Sequence, residues 1–510
     1  MMFPRTLRAT PLALALAAAA GALAAPAHAI NLAPNGKGEV LIFPYYTVRN
    51  GFDTLVSITN ASDRTVLAAL RQREANNGRT AGELHLILSP HDMWTGGVTS
   101  NGGSGAYLRS FDASCTAPAL PAGPSGSKQL ALSASGYDGS GALPIDNGGA
   151  SLDRVQEGFI ELIEMGISTV PESLIVSASP IEYASQHTAG VPRDCALVAG
   201  AFAEAANFAE SGAGTAQSSS VFSSFEAPKN VLFGSATLIN VGSGHAYDAA
   251  PTVVQNFRSG TPIVYRPQAG QPSLASGDAN MTASGFDRDG RPFTVSDIAR
   301  PVDAVSTVLM ALEISNEFAA GGTATSGART DWVVTYPTKH FYTDPATSGS
   351  SVPLAPFDGY NETVFPLAGE SCNAFNGFYA DRNGGTDVDR IDMLPPSYFQ
   401  ATCYVANALP IRISDDDTGS VLGSQSTQAI RPNAYPRATP FASGWLIMSF
   451  RGNRQFGEPL EAGDSAYGLN GLRGVPAIGF SVIERNNSAD AGNNRNYGSG
   501  RPHVVDLIAP

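Results

Sequence analysis

The stretch from residue 38 to residue 96 most constrains the fold, because four short apolar runs alternate there with turn signals. The runs read GEVLIFPYYTV, DTLVSITN, TVLAALRQRE and ELHLILSPHDMW. Each is rich in β-favouring residues, and the turns between them leave no window long enough for a helical period. Short strands spaced by roughly ten residues are typical of antiparallel sandwiches and barrels. We therefore predict a mainly β chain of antiparallel, immunoglobulin-like β-sandwich domains.

The turns and the alternation within this stretch support the same fold. Asn50-Gly51 supplies the positive φ that a tight hairpin turn needs. Residues 60–63 (NASD) can turn the chain through side-chain bonds to the local backbone. Residues 84–88 (LHLIL) place leucine at every second position, so one face of that strand is expected to point into a core.

The first 29 residues have the three parts of a secretory signal peptide. Arg5 and Arg8 precede an apolar stretch at 12–24, and Ala27-His28-Ala29 is a small-residue cleavage site. A membrane anchor is the alternative, but the apolar stretch is short for a bilayer span. No later stretch approaches the roughly 18 apolar residues of a spanning helix. We predict export to the periplasm, the cell surface or the exterior, with no membrane span.

The length after the signal peptide favours more than one domain. A segment rich in Ala, Ser, Gly and Asn at 203–219 suggests a boundary between an N-terminal domain at 30–205 and a C-terminal β-rich domain at 220–510. Within the first domain, residues 97–150 are rich in Gly, Ser and Pro and are predicted to form a loop-rich insertion.

Further elements are predicted from shorter patterns. Residues 157–166 fit a strand better than a helix, because glycines bracket a short run. One helix is predicted at 302–318, where apolar residues recur near one face behind Pro301. Other predicted strands lie at 231–240, 330–342, 403–409, 411–414, 444–451 and 477–485.

The charge balance limits the possible partners. The chain has 31 basic and 45 acidic residues, so its net charge is −14, and loss of the two signal-peptide arginines makes it −16. An acidic chain without a basic run repels phosphate backbones and anionic membrane surfaces. We therefore predict no nucleic-acid partner. Envelope or extracellular proteins remain candidate partners, and no cofactor is predicted.

The four cysteines fit an exported protein that forms disulfides. Of the three possible pairings we favour Cys115–Cys195 with Cys372–Cys403, because each pair then lies within one predicted domain. A zinc site is the alternative, but the spacing Cys-x2-Cys that is common in such sites does not occur.

The common catalytic motifs are missing from the sequence. There is no G-x-S-x-G nucleophile elbow and no H-E-x-x-H zinc motif. Gly463-Asp464-Ser465 resembles the block of another esterase class, but it lies far from the N-terminal position of that block. A Ser-His-Asp triad stays open, because it is recognised by geometry and not by sequence order.

Three further segments carry polar or aromatic chemistry. Residues 381–389 and 415–417 are acidic enough to hold calcium, although the first lacks glycine at its sixth position and is expected to be a solvated turn. Lys339 and His340 would point to opposite faces of a strand at 330–342. Trp332 in the same segment is expected to pack in the core.

Several runs together resemble one protein family. GEVLIFPYYTV, SITNASDRTV, LILSPHDMWTG, EGFIELIEMG, GSATLINV, TDWVVTYPTKHFY and AIGFSVIERN are similar to motifs of an uncharacterised family of secreted proteins from Gram-negative bacteria. The resemblance covers nearly all of the chain beyond residue 29. It implies export and a shared architecture, and it implies no catalytic or binding residue.

These observations favour an exported structural, adhesive or ligand-binding protein of the cell envelope or exterior, with no catalytic signature. One alternative is a secreted hydrolase whose site is assembled from loops, which should show a concave pocket with converging polar groups. Another is a self-assembling surface subunit, which should depend on the segment 30–48. A binding protein should instead show an exposed aromatic or polar patch.

Overall fold

The computed structural model describes residues 28–135, 137, 146, 148–208, 220–323, 326–350, 352–357, 372–388, 400–413, 419–425, 428–432, 441–450, 468–487 and 496–507. Almost all of the predicted signal peptide lies outside these residues. The acidic run at 415–417 and the segment at 463–465 lie outside them as well.

The chain is mainly β, as predicted, and its helices are short. In the first half the strands are β1 Asn31–Leu32, β2 Val40–Thr47, β3 Asp53–Asn60, β4 Arg64–Glu74, β5 Thr80–Leu88, β6 Met93–Ser100, β7 Ala106–Ser110, β8 Cys115–Ala117, β9 Lys128–Ala131, β10 Glu157–Pro171, β11 His187–Thr188, β12 Val191–Pro192, β13 Phe225–Glu226, β14 Leu232–Asn240, β15 His245–Asp248 and β16 Thr252–Gln255. The four apolar runs between residues 38 and 96 form β2 to β5, and the strand predicted at 157–166 is β10.

The second half continues in the same way. Its strands are β17 Met281–Phe286, β18 Pro292–Ile298, β19 Met310–Ala311, β20 Glu313–Ala319, β21 Ser326–Thr335, β22 Asn373–Ala374, β23 Asn376–Asp381, β24 Thr386–Val388, β25 Ala401–Thr402, β26 Ala406–Pro410, β27 Ser443–Ser449, β28 Gly468–Leu469, β29 Leu472–Arg473, β30 Val475–Pro476, β31 Ile478–Asn487, β32 Tyr497–Pro502 and β33 Val504–Asp506. The helices are α1 Pro180–Ser185, α2 Cys195–Ala203, α3 Pro301–Val308, α4 His340–Thr343 and α5 Pro345–Ser348. Within the described residues, no helix is long and apolar enough to cross a membrane.

Four larger antiparallel sheets organise the strands. Sheet A runs β1-β16-β2-β10-β4-β5-β8, with β13 also on β10, and sheet B runs β15-β14-β3-β6-β7-β9. Sheet C runs β24-β23-β27-β20-β33, and sheet D runs β26-β21-β31-β32. The antiparallel β class is confirmed, and the immunoglobulin-like detail stays a prediction.

Sheet A is the central layer, because both of its faces are covered. All eight residues of β2 are buried. Val56, Ile58 and Trp94 of sheet B and Val334 of β21 belong to the same buried cluster as β2. A strand that is buried on both faces reads as a continuous apolar run, which explains the VLIF segment of β2.

The two predicted halves share strands and a core. β14 and β16 lie beyond the predicted boundary at 205–220, yet β14 pairs with β3 and β16 pairs with β2. The main buried cluster is continuous from Ile30 to Val482. The described parts of the chain therefore pack around one core.

Both predicted disulfides are present. Cys115 of β8 bonds to Cys195, the first residue of α2, and Cys372 bonds to Cys403. The pairing chosen from the sequence is therefore confirmed.

Four predictions of secondary structure were wrong in part. At the strand predicted for 411–414, the described residues 411–413 hold only an isolated bridge between Ile411 and Ile430, and residue 414 lies outside the described residues. The predicted loop at 97–150 contains the end of β6 and all of β7, β8 and β9, because even short segments gain ladder bonds from neighbouring strands, β7 between β6 and β9 and β8 beside β5. The helix predicted at 302–318 ends at Val308. Beyond it, β20 is held between β27 and β33, so tertiary pairing overrides helix propensity.

The strand predicted at 330–342 ends at Thr335. Pro337 has no N–H to continue a ladder, and the chain turns there before α4. Trp332 is fully buried, as expected, and lies in β21.

Candidate functional site

The outward face of sheet B carries an open groove, which we call the outer groove. Side chains alternate along β3, so that Thr54, Val56 and Ile58 are buried while Leu55 is exposed. The same alternation on neighbouring strands brings a set of short polar and apolar side chains to one surface. The residues that line the groove through side chain or backbone are Leu55, Val56, Ser57, Thr95, Gly96, Gly97, Thr99, Arg109, Ser110, Phe111, Ser235 and Thr237. They enclose a volume of about 360 Å³.

A row of hydroxyl groups crosses the strands in the groove. Ser235 of β14 lies opposite Ser57 of β3, and Ser57 lies opposite Thr95 of β6. The Oγ atoms of Ser57 and Ser235 are 2.9 Å apart and share a hydrogen bond. Thr95 is fixed by Asp112, whose Oδ2 accepts from the Thr95 N–H at 3.0 Å and from its hydroxyl at 3.2 Å. The row is therefore held in place by strand register and by a neighbouring carboxylate.

The next row across the strands contributes the apolar side chain of Leu55 and, at Gly97, a position without a side chain. Thr237, Leu55, Gly97 and Arg109 follow one another across β14, β3, β6 and β7. Leu55 is 47% exposed, and Phe111 beyond the end of β7 is 70% exposed. A β-carbon at Gly97 would lie 3.0 Å from the Thr54 carbonyl oxygen and 3.3 Å from Leu55 Cδ2. Because glycine has no β-carbon, it avoids this crowding and leaves the groove open between the two rows.

One cation lines the groove, and its charge is balanced nearby. Arg109 Nη2 donates to Gln129 Oε1 at 3.2 Å. Asp53, at the start of β3, lies close enough to interact with the Arg109 charge. Burial raises the pKa of Asp53, against the opposing effects of the Ser100 N–H and Arg109. The groove thus offers donors and acceptors with little net charge.

The arrangement suits binding better than acid–base chemistry. Among the residues that the structure describes, its lining includes no histidine, cysteine or carboxylate, and the neighbouring carboxylate of Asp112 is engaged by Thr95. General acid–base or nucleophilic catalysis needs such a group within hydrogen-bond reach of the substrate. An open surface with apolar side chains beside fixed hydroxyls can hold an amphipathic ligand by contact and hydrogen bonding.

A serine, a histidine and an aspartate do meet elsewhere, at the end of β5. Ser89 Oγ and His187 Nδ1 are 3.0 Å apart, and Asp92 Oδ2 lies 3.7 Å from the same ring nitrogen. In a catalytic triad the serine and the carboxylate engage opposite ring nitrogens. Here both engage Nδ1, and Ser89 is 3% exposed. This cluster therefore lacks the geometry of a triad.

The densest charged cluster lies inside sheet A. Arg71 Nη1 donates to Glu161 Oε1 at 3.0 Å, and Arg73 Nε donates to the same oxygen at 2.5 Å. Burial alone would raise the pKa of Glu83, but contacts with His85 and Arg71 outweigh it and lower the pKa to about 2. All of these side chains are nearly inaccessible to solvent. They join strands of the core and cannot meet a substrate in this conformation.

Lys339 and His340 lie on the turn before α4 and at its first residue, and not on a strand. Lys339 Nζ donates to the Cys403 carbonyl oxygen at 2.9 Å. Burial lowers the pKa of His340 well below its ordinary value, and the nearby charges of Arg73 and Arg71 lower it further. The two side chains therefore serve different interior contacts and form no common pocket.

The acidic segment at 381–389 begins as a hairpin turn. Asp381 Oδ1 accepts from the N–H groups of Asn383 at 2.8 Å and Gly385 at 2.7 Å. This carboxylate oxygen is thus used to close the turn between β23 and β24. In the described parts of the chain, no group of three or more His, Cys, Asp or Glu residues could hold a metal ion.

A second cavity of about 430 Å³ lies beside α2. Ala199, Phe202, Arg266 and Gln268 are among its lining residues. The Gln268 N–H donates to Glu83 at 3.0 Å, and the Phe202 ring meets the buried His85 edge-on at 5.6 Å. Two residues of the cavity wall therefore contact Glu83 and His85, which belong to the interior charged cluster.

Comparison with known proteins finds no relative. No protein-family model matches the chain, and no similar protein is found among curated proteins or among solved structures.

Sequence reasoning missed the outer groove. Its residues come from four separate strands and a loop, and their meeting depends on register. The one available signal was Leu55, an apolar residue between the alternating inward positions of β3.

Proposed function

We propose that this chain is an exported binding or adhesive protein of the cell envelope or exterior, and that it binds its target through the outer groove. The observation that carries the proposal is the pairing of exposed apolar side chains, Leu55 and Phe111, with a fixed row of hydroxyl groups on one rigid sheet. Solvent-exposed apolar surface next to ordered polar groups is typical of ligand and protein contact sites.

Export is supported by the sequence and by the cysteines. The signal-peptide pattern predicts translocation, and disulfides persist in oxidising compartments outside the cytoplasm. Both disulfides in the chain have formed. The resemblance to secreted proteins of Gram-negative bacteria agrees with this location.

The two alternative functions receive less support. A hydrolase would need converging catalytic groups, and the Ser89–His187–Asp92 cluster does not have the required arrangement. A subunit that assembles through residues 30–48 would need that segment to be available to a neighbour. In this chain β2 is paired on both sides, with β16 and with β10, and β1, which lies at the edge of sheet A, is only two residues long.

Binding can be tested with envelopes isolated from the producing bacterium. The purified protein is mixed with the envelopes, and the sedimenting fraction is measured for the wild type and two variants. Ser235→Trp fills the groove at an exposed position. Ala246→Trp is the matched control, because Ala246 is exposed on β15 of the same sheet and does not line the groove.

We expect the wild type and Ala246→Trp to sediment with the envelopes, and Ser235→Trp to lose at least tenfold in affinity. Equal binding by both variants, or no binding by the wild type, would contradict the proposal. Circular dichroism and thermal unfolding of both variants establish that the sheet is intact.

A further inference from the structure

We propose that the outer groove takes a neutral oligosaccharide, lying across strands β14, β3, β6 and β7. This inference rests on the proposed binding function and names the chemical class of its ligand. It follows from three properties of the groove, namely its dimensions, the chemistry of its rows and its charge.

The dimensions fit a short sugar chain. Four neighbouring strands spaced by about 4.8 Å span about 14 Å, which is roughly the length of three hexose rings. The rows that cross these strands are in register, so the hydroxyl groups of Ser235, Ser57 and Thr95 recur at the strand spacing, with Leu55 in the next row. A linear oligosaccharide presents its own hydroxyls and C–H faces at a similar repeat.

The chemistry of the rows fits the two surfaces of a sugar ring. Leu55 and Phe111 are exposed apolar side chains that can cover the C–H face of a ring. The bonded hydroxyls of Ser57 and Ser235 retain one donor and further acceptor capacity for a ring hydroxyl. Arg109 adds guanidinium N–H groups at the other end of the groove.

The charge argues for a neutral ligand. Among the described lining residues, the charged side chain is Arg109, which is bonded to Gln129 and lies in the field of Asp53. The carboxylate of Asp112 beside the groove is bonded to Thr95, so the local charges are of both signs. The whole chain has a net charge of −14, so a polyanionic glycan would meet repulsion over most of the surface. A neutral saccharide avoids this cost and matches the uncharged hydroxyl row.

An extended peptide is a poorer occupant. Peptides that bind to sheets usually add a strand to an unpaired edge, where backbone N–H and C=O groups are free. The strands at the centre of the groove, β3 and β6, are each paired on both sides. The backbone groups of these strands are engaged in the ladders on both sides, and the hydroxyl side chains of the groove suit a polyol better than a peptide backbone.

The probes for the test are four neutral trisaccharides and one acidic one. Chitotriose, cellotriose, maltotriose and mannotriose are titrated into the full chain by isothermal titration calorimetry, with trigalacturonate for comparison. The proteins are the wild type, Ser235→Trp, Leu55→Gln and the control Ala246→Trp. Leu55→Gln removes the apolar platform and leaves the hydroxyl row in place.

We expect at least one neutral trisaccharide to bind the wild type and Ala246→Trp equally. Affinity should fall at least tenfold in Ser235→Trp and severalfold in Leu55→Gln. If none of the neutral sugars binds, or if trigalacturonate binds more tightly than all of them, the saccharide inference is wrong. Groove-dependent envelope binding that the neutral sugars do not compete would overturn this inference and leave the binding function standing.

Discussion

Arg79, near the tip of the β4–β5 hairpin, forms a buried ion pair with Asp344, the residue that precedes α5. Arg79 Nε lies 3.0 Å from Asp344 Oδ2 and 3.1 Å from Asp146 Oδ2. Asp344 also accepts a hydrogen bond from the Ala346 N–H at the start of α5. One contact thus ties an N-terminal hairpin to a C-terminal helix across a sequence separation of 265 residues.

We expect Asp344→Ala to lower the free energy of unfolding by about 3 kcal/mol, because it leaves a buried guanidinium with one partner fewer and removes a helix cap. Urea unfolding followed by tryptophan fluorescence measures the loss. The matched control is Glu317→Ala, which breaks an ion pair of the same 3.0 Å length with Arg501 at the surface. That pair is more than half exposed, so its loss should cost less than about 1 kcal/mol. Equal losses in the two variants would contradict the role given to Asp344.

The two disulfides should stabilise the protein to different extents. They close loops of 80 and 31 residues, for which the chain-entropy estimate gives about 4.5 and about 3.7 kcal/mol. We expect the double variant Cys115→Ala/Cys195→Ala to lose more stability than Cys372→Ala/Cys403→Ala, by about 0.8 kcal/mol. Urea unfolding of both double variants and of the reduced wild type tests this order. The reverse order would mean that contacts around each disulfide affect the free energy of unfolding more than loop length does.

The elements that were predicted correctly are those whose pattern is decided locally. β2 to β5 were predicted because each has its own apolar run and its own turn residues. At the first turn, Asn50 and Gly51 both have positive φ, as the Asn-Gly pair indicated. The cysteine pairing was predicted correctly because each pair lies within one predicted domain, which needs no knowledge of strand register.

The elements that were missed depend on distant partners. β20 is a strand because β27 and β33 flank it, although its sequence follows a helix without a strong break. β14 was predicted as a strand, but its place in sheet B was missed because it depends on pairing with β3, more than 170 residues earlier. The outer groove is the extreme case, since Ser235 and Ser57 become neighbours only through that pairing. Register between distant strands is a tertiary property, and a single sequence carries little information about it.

Two glycines should respond in opposite directions to alanine. At Gly158, in β10, a β-carbon would overlap the carbonyl oxygen of Arg73 in the neighbouring strand. At Gly200, inside α2, a β-carbon would meet no atom within 4 Å. We expect Gly158→Ala to destabilise by about 2 kcal/mol or more, because the β10–β4 ladder must shift. Gly200→Ala should stabilise by roughly 0.5–1 kcal/mol through helix propensity. Thermal unfolding distinguishes the two, and a neutral Gly158→Ala would show that the ladder adapts.

Glu39 should make stability depend on pH near neutrality. Burial raises its pKa from 4.5 to about 7, against the opposing hydrogen bonds from the Arg258 and Phe257 N–H groups. Asp278 and Lys229 act on it more weakly and with opposite signs. Burial, and then the charge of Glu39, also raise the pKa of the neighbouring Glu164.

Because the native state holds this proton more tightly than the unfolded state, stability falls as the pH rises from about 4.5 to about 7 and stays lower above that range. Glutamine cannot ionise, and its carbonyl oxygen can still accept from the Arg258 N–H, which donates to Glu39 at 2.8 Å. We therefore expect Glu39→Gln to match the wild type near pH 4 and to exceed it at pH 8, by at most about 3 kcal/mol. Urea unfolding at pH 4, 6 and 8 measures the difference, with the surface variant Glu317→Gln as the control. If Glu39→Gln is less stable than the wild type at pH 8, the predicted sign of the stability difference is wrong. That result would mean that the ionised carboxylate is needed to hold the loop at Arg258.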